Sequence, residues 1–250
     1  MRILLTNDDG IYAKGIEALF LTLRRDHAVT VVAPTTEQSA IGHAITFLNP
    51  LRVTPVQRNG GFFGYALDGT PADCVKIAVT TLLDPPPQMV VSGINMGANV
   101  GVNVIYSGTV SAATEAALLG IPAVAISIDS FNATDFSAAT SFLPRLLRLI
   151  EQNGLPAGVS LNVNVPDVPA SLVRGVRVTH QGKMQCIETY DRRVDPRNHV
   201  YYWLCNRDII PDFSPDADSM ALSQNWISVT PIQHDLTHYG MLETLKGWQL

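Results

Sequence analysis

Hydrophobic positions along the chain fall into short runs separated by turn residues, and the spacing within each run identifies the element it builds. Arg2 to Thr6 is an apolar, β-favouring run that stops at Asn7-Asp8-Asp9-Gly10, a cluster of turn formers, so a strand leads into a loop. From Lys14 onward, Ile16, Leu19, Phe20 and Leu23 recur at i, i+3, i+4 and i+7, one apolar helical face that closes near Arg24 or Arg25. Ala28 to Ala33 is a second strand. Strand, helix and strand within about thirty residues make the unit of a parallel sheet, with a right-handed crossover.

Ile45 to Leu67 interrupts the rhythm with strand-like pieces around Asn59-Gly60-Gly61, which predicts an inserted β-hairpin. Thr70-Pro71-Ala72-Asp73 supplies an N-cap, a proline at the first helical position and an acid at the third, starting a helix to about Leu83 that Asp84-Pro85-Pro86-Pro87 ends. Met89 to Ser92 is a strand, Gly93 to Gly108 a Gly- and Asn-rich loop, and Thr109 to Leu119 a helix stopped by Gly120. Ala123 to Ile128 and Ser160 to Val165 are strands flanking a helix over Phe136 to Gln152, in which Pro144 predicts a kink or a division. After Pro166 come a strand at Val176 to Thr179 and a protruding hairpin, Cys186 to Tyr190 against Val200 to Cys205, with a charged tip from Asp191 to His199. A late strand at Trp226 to Ile232 precedes a terminal helix over Thr237 to Trp248. The fold class is α/β with a mainly parallel sheet.

At 250 residues the chain is near the upper size for one core, so a single domain over 1–250 is expected. Only 16% of residues are charged, against roughly 25% in ordinary soluble chains, which predicts surface withdrawn into subunit contacts and hence a homo-oligomer. Tyr201, Tyr202 and Trp203 suit such an interface better than stacking on a substrate base. A net charge of −5 argues against a nucleic acid polymer as partner, because phosphate backbones are held by dense Lys and Arg. Cys74, Cys186 and Cys205 are far apart and lack metal-ligand spacing, so neither a disulfide framework nor a zinc site is expected. Met1 to Thr6 is too short for a signal peptide or a membrane span, which predicts a cytoplasmic protein with no membrane partner.

Open parallel sheets bind ligands outside the carboxyl ends of their strands. Asp8 and Asp9 follow the first strand, Ser39 lies after the second, Asn95 follows the Met89 strand, and Ser107-Gly108-Thr109 opens the helix beyond, so all four groups can meet at one edge. Adjacent carboxylates repel unless a cation relieves them, and oxygen ligands suit a hard ion such as Mg²⁺ or Mn²⁺; the competing reading is a plain Asn-Asp-Asp-Gly turn. Ser107-Gly108-Thr109 offers hydroxyls and free N–H groups to a phosphate, or else an ordinary helix cap. A P-loop, a Gly-x-Gly-x-x-Gly after a strand and a Gly-x-Ser-x-Gly are absent, which disfavours the nucleoside triphosphatase, dinucleotide-binding and α/β-hydrolase classes.

Arg2-Ile-Leu-Leu-Thr-Asn-Asp-Asp-Gly10, Val32-Ala-Pro34 with Gln38-Ser39-Ala40, Gly93-Ile94-Asn95 and Tyr106-Ser107-Gly108-Thr109-Val110 resemble the SurE (survival protein E) nucleotidase family. Asp68-Gly69-Thr70-Pro71-Ala72-Asp73-Cys74, Arg192-Arg193-Val194-Asp195-Pro196-Arg197 and Ile227-Ser228-Val229-Thr230-Pro231 extend the resemblance over nearly the whole chain. It departs at Leu222-Ser-Gln-Asn-Trp-Ile227, where members more often carry Gly-Tyr.

The resemblance implies a Rossmann-like sheet with helices on both faces over 1–180, and a carboxyl-terminal hairpin and helix extension over 181–250 that builds a homodimer or homotetramer. It further implies a 5′-nucleotidase that hydrolyses nucleoside 5′-monophosphates and also 3′-monophosphates, with short-chain polyphosphate as a further substrate. One divalent cation per subunit, Mg²⁺ or Mn²⁺, would be held by Asp8, Asp9, Ser39 and Asn95, with Asp8 and Asp9 catalytic. Asn95, Ser107, Gly108 and Thr109 would face the phosphate. The competing function class is a non-catalytic metal- or nucleotide-binding sensor that uses the same edge. A receiver-like phosphorylation switch fits less well, since Met89 to Asn95 offers no Asp acceptor.

Overall fold

The computed structural model describes residues 1–58 and 60–248. Strand β1 (Arg2–Thr6), helix α1 (Lys14–Leu23) and strand β2 (Ala28–Pro34) form the opening unit, β1 and β2 running parallel from Arg2 opposite Ala28. Strands β3 (Val53–Arg58) and β4 (Gly61–Leu67) are the expected antiparallel hairpin, and Asn59 of its turn lies outside the described residues. Helix α2 (Pro71–Ile77) starts on a reciprocal cap, the Asp73 N–H donating to the Thr70 hydroxyl at 3.1 Å and the Thr70 N–H to the Asp73 carboxylate at 3.0 Å. A π-helical turn over Ala78–Leu82 continues it.

Strand β5 (Met89–Met96), helix α3 (Asn103–Tyr106), helix α4 (Gly108–Leu118), strand β6 (Ala123–Ile128), helix α5 (Ser137–Asn153) and strand β7 (Val159–Val165) resume the alternation. Strand β8 (Val176–Val178), the hairpin β9 (Gln185–Val194) and β10 (Val200–Ile210), helix α6 (Asp218–Ser223), strand β11 (Ile227–Gln233) and helix α7 (Tyr239–Lys246) complete the chain.

Among the described residues nine strands form one sheet in the order β3-β4-β2-β1-β5-β6-β7-β11-β8, parallel from β4 through β7, with β3 and β11 antiparallel to their neighbours β4 and β7. The period of two in its strands sorts side chains onto two faces. Ile3, Leu5, Val31, Val91 and Ile126 pack with α1 and α5, while Leu4, Val32, Val90 and Ala125 pack with α2 and α4. Both faces are covered, as a parallel sheet requires. From β1 the chain moves outward to β2 and later returns to place β5 on the other side of β1, so the crevice between their carboxyl ends is a topological switch point.

Several elements differ from their sequence-based expectation; the hairpin strands run on through Val194 and Ile210, so the expected tip from Asp191 to His199 is shorter. Strand β5 continues past Ser92 to Met96, because a register shift between Gly93 and Asn95 lets Asn95 and Met96 pair with Ser127 and Ile128 of β6. The expected long loop is therefore shorter and contains α3. Helix α5 passes unbroken through Pro144, where burial of Leu143, Leu146, Leu147 and Ile150 against the sheet outweighs the missing backbone donor. Helix α6 has no counterpart in the sequence-based reading, since six residues are too few to show a period.

The β9–β10 hairpin forms its own two-stranded sheet, with Tyr190, Tyr201, Tyr202 and Trp203 exposed. Among the described residues no helix is long and apolar enough to cross a membrane.

Candidate active site

The loop leaving β1 is tightly laced to the loop leaving β2. Asn7 Nδ2 donates to the Gly10 carbonyl at 2.9 Å, closing the turn, and Ile11 N–H donates to the Pro34 carbonyl at 2.9 Å. Gly10 sits at φ +94°, a conformation that favours glycine, and a Cβ there would also make a tight 3.3 Å contact with the backbone of Thr36. Gln38 N–H donates to the Asp8 carbonyl at 2.7 Å, which brings the Ser39 segment alongside the acidic pair.

Asp8 is buried, and Thr109 at the start of α4 holds its carboxylate. The Thr109 N–H donates to Oδ2 at 3.1 Å and the Thr109 hydroxyl donates to Oδ1. This approach depends on Gly108, where a Cβ would fall 2.9 Å from Asp8 Cβ. Ser107 Oγ accepts the Val110 N–H at 3.1 Å and so caps α4; a hydroxyl that accepts in this way still has a proton to donate.

Asp9 differs from Asp8 in its partners. Burial, then the neighbouring Asp8 charge, push its carboxyl up to about 7, offset in part by an N–H from Met96. That bond sets Asp9 beside Asn95. Asp9 Oδ2 is buried with no hydrogen-bond partner among the described residues. Burial also raises the Asp8 carboxyl, against the lowering effect of the Thr109 bonds. Two adjoining acids that both resist ionisation are what a positive charge placed between them would relieve.

Asn95 spends its amide N–H on the Gly97 carbonyl at 2.7 Å, a bond that leaves Oδ1 uncommitted. Ser39 is exposed, and its hydroxyl is hydrogen-bonded to the Glu37 carboxylate, whose charge reaches both Asp8 and Asp9. Asp8, Asp9, Asn95 and Ser107 to Thr109 thus converge on the β1–β5 crevice, with Ser39 at its rim and turned toward Glu37. Among the described residues no group of three or more His, Cys, Asp or Glu could hold a metal, so any ion here takes carboxylate, amide and hydroxyl oxygens.

A buried amide network beneath the loop is a feature that sequence reasoning missed. Asn99 donates its N–H to Asn164 Oδ1 at 2.8 Å and its amide to Ser127 Oγ at 2.9 Å, while Asn162 and Asn164 donate to the Asn99 carbonyl at 2.7 and 3.2 Å. Its signal lies in β7, where Ser160, Asn162 and Asn164 alternate with Leu161, Val163 and Val165. A buried polar face of this kind is the trace of a network.

Residues 3–188 match the Survival protein SurE family. A Syntrophobacter fumaroxidans protein named 5′-nucleotidase SurE is 70% identical over 250 residues, spanning 100% of each chain. A protein of the same name from Syntrophus aciditrophicus is 51% identical over 248 residues, covering 99% of this chain and 93% of its own. The crystal structure of Sure protein from Aquifex aeolicus has a TM-score of 0.84 at 34% identity, covering 98% of either chain.

Proposed function

Because the chain belongs to the Survival protein SurE family, we propose that it is a phosphomonoesterase that hydrolyses nucleoside 5′-monophosphates to nucleoside and phosphate. Nucleoside 3′-monophosphates and short polyphosphate are substrates of the same chemistry. The observation that carries this reading is the pairing of an Asp8 oriented by Thr109 on both oxygens with an Asp9 whose Oδ2 has no partner among the described residues, beside the amino end of α4.

The donor set fits a hard divalent cation. Asp8, Asp9, Ser39 and Asn95 would hold one Mg²⁺ or Mn²⁺ per subunit, and the unpartnered Asp9 Oδ2 is the atom most in need of it. When bound, such an ion supplies positive charge to the two carboxylates and to the phosphoryl oxygens.

The chain's own groups do the rest. Thr109 locks the Asp8 carboxylate in one orientation. The Asp9 carboxylate orients the attacking water and takes its proton as the water oxygen bonds to phosphorus in line. The bond between phosphorus and the nucleoside oxygen breaks, and the departing alkoxide takes a proton from solvent. The Ser107 hydroxyl proton and the N–H groups at the start of α4 stabilise the equatorial oxygens. The exposed aromatic hairpin β9–β10 supports assembly as a homodimer or homotetramer.

The test is phosphate release from 5′- and 3′-nucleoside monophosphates with Mn²⁺, Mg²⁺ or EDTA, for the wild type beside Asp8→Asn. Metal-dependent release that is lost in the variant is expected. A folded wild type that binds nucleotide and releases no phosphate with either ion would favour a non-catalytic sensor.

A further inference from the structure

Gly101 lies midway along the segment that joins Asn95 to Ser107, and the carboxyl-terminal part of the chain grips it on three sides. Its N–H donates to Asp218 Oδ2 at 2.9 Å, and its carbonyl accepts from Gln181 Nε2 at 2.9 Å. Against its α-carbon lies Met184, where a Cβ on residue 101 would fall 2.5 Å from Met184 Cγ. Gly101 is also at φ +54°, so the grip encloses a backbone conformation that glycine adopts at least cost.

Asp218 is fully buried at the start of α6, yet no basic side chain pairs with it through a salt bridge among the described residues. Backbone donors satisfy its carboxylate instead: Gly101 on Oδ2, with Gly182 at 3.0 Å and Ser219 at 2.7 Å on Oδ1. A buried carboxylate that collects N–H groups from two distant segments, Gly101 and Gly182, and from its own neighbour Ser219 fixes them relative to one another. Val100, Met184 and Leu222 pack into a small apolar cluster at the same place. The amide network anchors Asn99, two residues earlier, to β6 and β7, so Gly101 is where the segment is held from the carboxyl-terminal side.

We propose that Asp218, assisted by Gln181, is a positioning residue for phosphate-ester hydrolysis: by clamping Gly101 it sets the segment that runs from the end of β5, where Asn95 lies, to Ser107 at the cap of α4. This inference rests on the functional reading above. Asp218 touches neither substrate nor ion. It acts through Gly101, and the isosteric Asp218→Asn places an amide N–H₂ where the backbone presents only donors.

The experiment compares Asp218→Asn, Gln181→Ala and, as a control, Thr179→Val, which breaks a buried 2.7 Å hydroxyl pair with Thr230 near Gln181 while leaving the bonds from Asp218 and Gln181 to Gly101 in place. In Asp218→Asn, kcat with Mn²⁺ is expected to fall about 10- to 100-fold, since a displacement of about 1 Å at a catalytic group can cost as much. The Mn²⁺ concentration for half-maximal activity should rise with it. Backbone hydrogen exchange of residues 97–107, measured without metal or substrate, should quicken in Asp218→Asn and less so in Gln181→Ala. Thr179→Val should lower Tm and change neither readout.

Wild-type exchange and turnover in both clamp variants would overturn the proposal. Should Asp218→Asn not fold, Gln181→Ala decides alone, because Gln181 is exposed and its truncation leaves the core intact. A wild type without phosphate release would overturn the functional reading and the positioning role with it, while exchange would still show whether the clamp orders the loop.

Discussion

Thr109 meets Asp8 across 101 positions of sequence with both of its donors, the backbone N–H at 3.1 Å from Oδ2 and the hydroxyl on Oδ1. One residue at the amino end of α4 thereby fixes the orientation of the carboxylate at the end of β1. Hydrogen bonds to a charged acceptor contribute roughly 1.5–3 kcal/mol each. Thr109→Val removes the hydroxyl and keeps the N–H and the shape, so kcat for nucleoside 5′-monophosphate hydrolysis should fall on the order of 10- to 100-fold. Steady-state kinetics and a thermal melt check this, with Tm expected to fall by several degrees, since the lost bond is buried.

Gly15 of α1 lies directly against β5. A Cβ at that position would stand 2.1 Å from the Ile94 carbonyl oxygen, and neither the helix backbone nor the strand backbone can step aside cheaply. Gly15→Ala should destabilise the protein by about 3 kcal/mol in urea denaturation, at the upper end of overpacking costs. Since Ile94 precedes Asn95, the surviving folded fraction should also bind Mn²⁺ more weakly, as titration calorimetry would show.

Glu115 of α4 is buried and accepts from His43 Nε2 at 2.9 Å and Lys76 Nζ at 2.8 Å. The His43 hydrogen bond first, and then Lys76, hold its carboxyl below its ordinary value of 4.5, against the opposing effect of burial. Folding therefore favours the ionised form. The stabilisation is fully present above about pH 4.5 and is lost as the pH falls through the lower folded-state value. Glu115→Gln should be less stable than the wild type at pH 7, and the gap should close below pH 4.5. Urea midpoints measured from pH 3 to pH 7 would follow this, and a gap independent of pH would refute it.

Asn164 holds the Asn99 N–H in a fully buried position. Asn164→Leu has similar volume but leaves that donor without its partner, which should cost about 1–3 kcal/mol in a urea melt. The loop beneath the site should loosen, and hydrogen exchange at residue 99 would report it.

Much of this is legible along the chain. The opening strand, helix and strand, the Thr70 cap and the Ala123 to Ile128 strand follow from local spacing and local capping chemistry, and they stand where spacing puts them. The end of β5 is harder to read: Gly93 and Asn95 carry little strand propensity, and only the presence of β6 alongside makes this stretch pair. Pro144 carries a strong local signal against a helix, which a buried apolar face overrides.

The candidate site divides in the same way. Asp8, Asp9, Asn95 and Ser107 to Thr109 are found because side chains at the carboxyl ends of parallel strands share one edge, a rule that needs only the order of elements. Which donors serve which carboxylate is not legible, because Thr109 on Asp8, Asn164 on Asn99 and Asp218 on Gly101 are contacts between residues 65 to 117 positions apart. The sequence by itself determined the α/β alternation and the residue types that collect at the β1–β5 edge, since both depend on short-range periodicity and turn chemistry. Only the tertiary structure decided that both Asp8 oxygens accept from Thr109 while Asp9 Oδ2 has no partner among the described residues, and that a carboxylate from α6 holds the segment between β5 and α4. Hydrogen bonds of fixed length and direction are set by three-dimensional proximity, which no local pattern encodes.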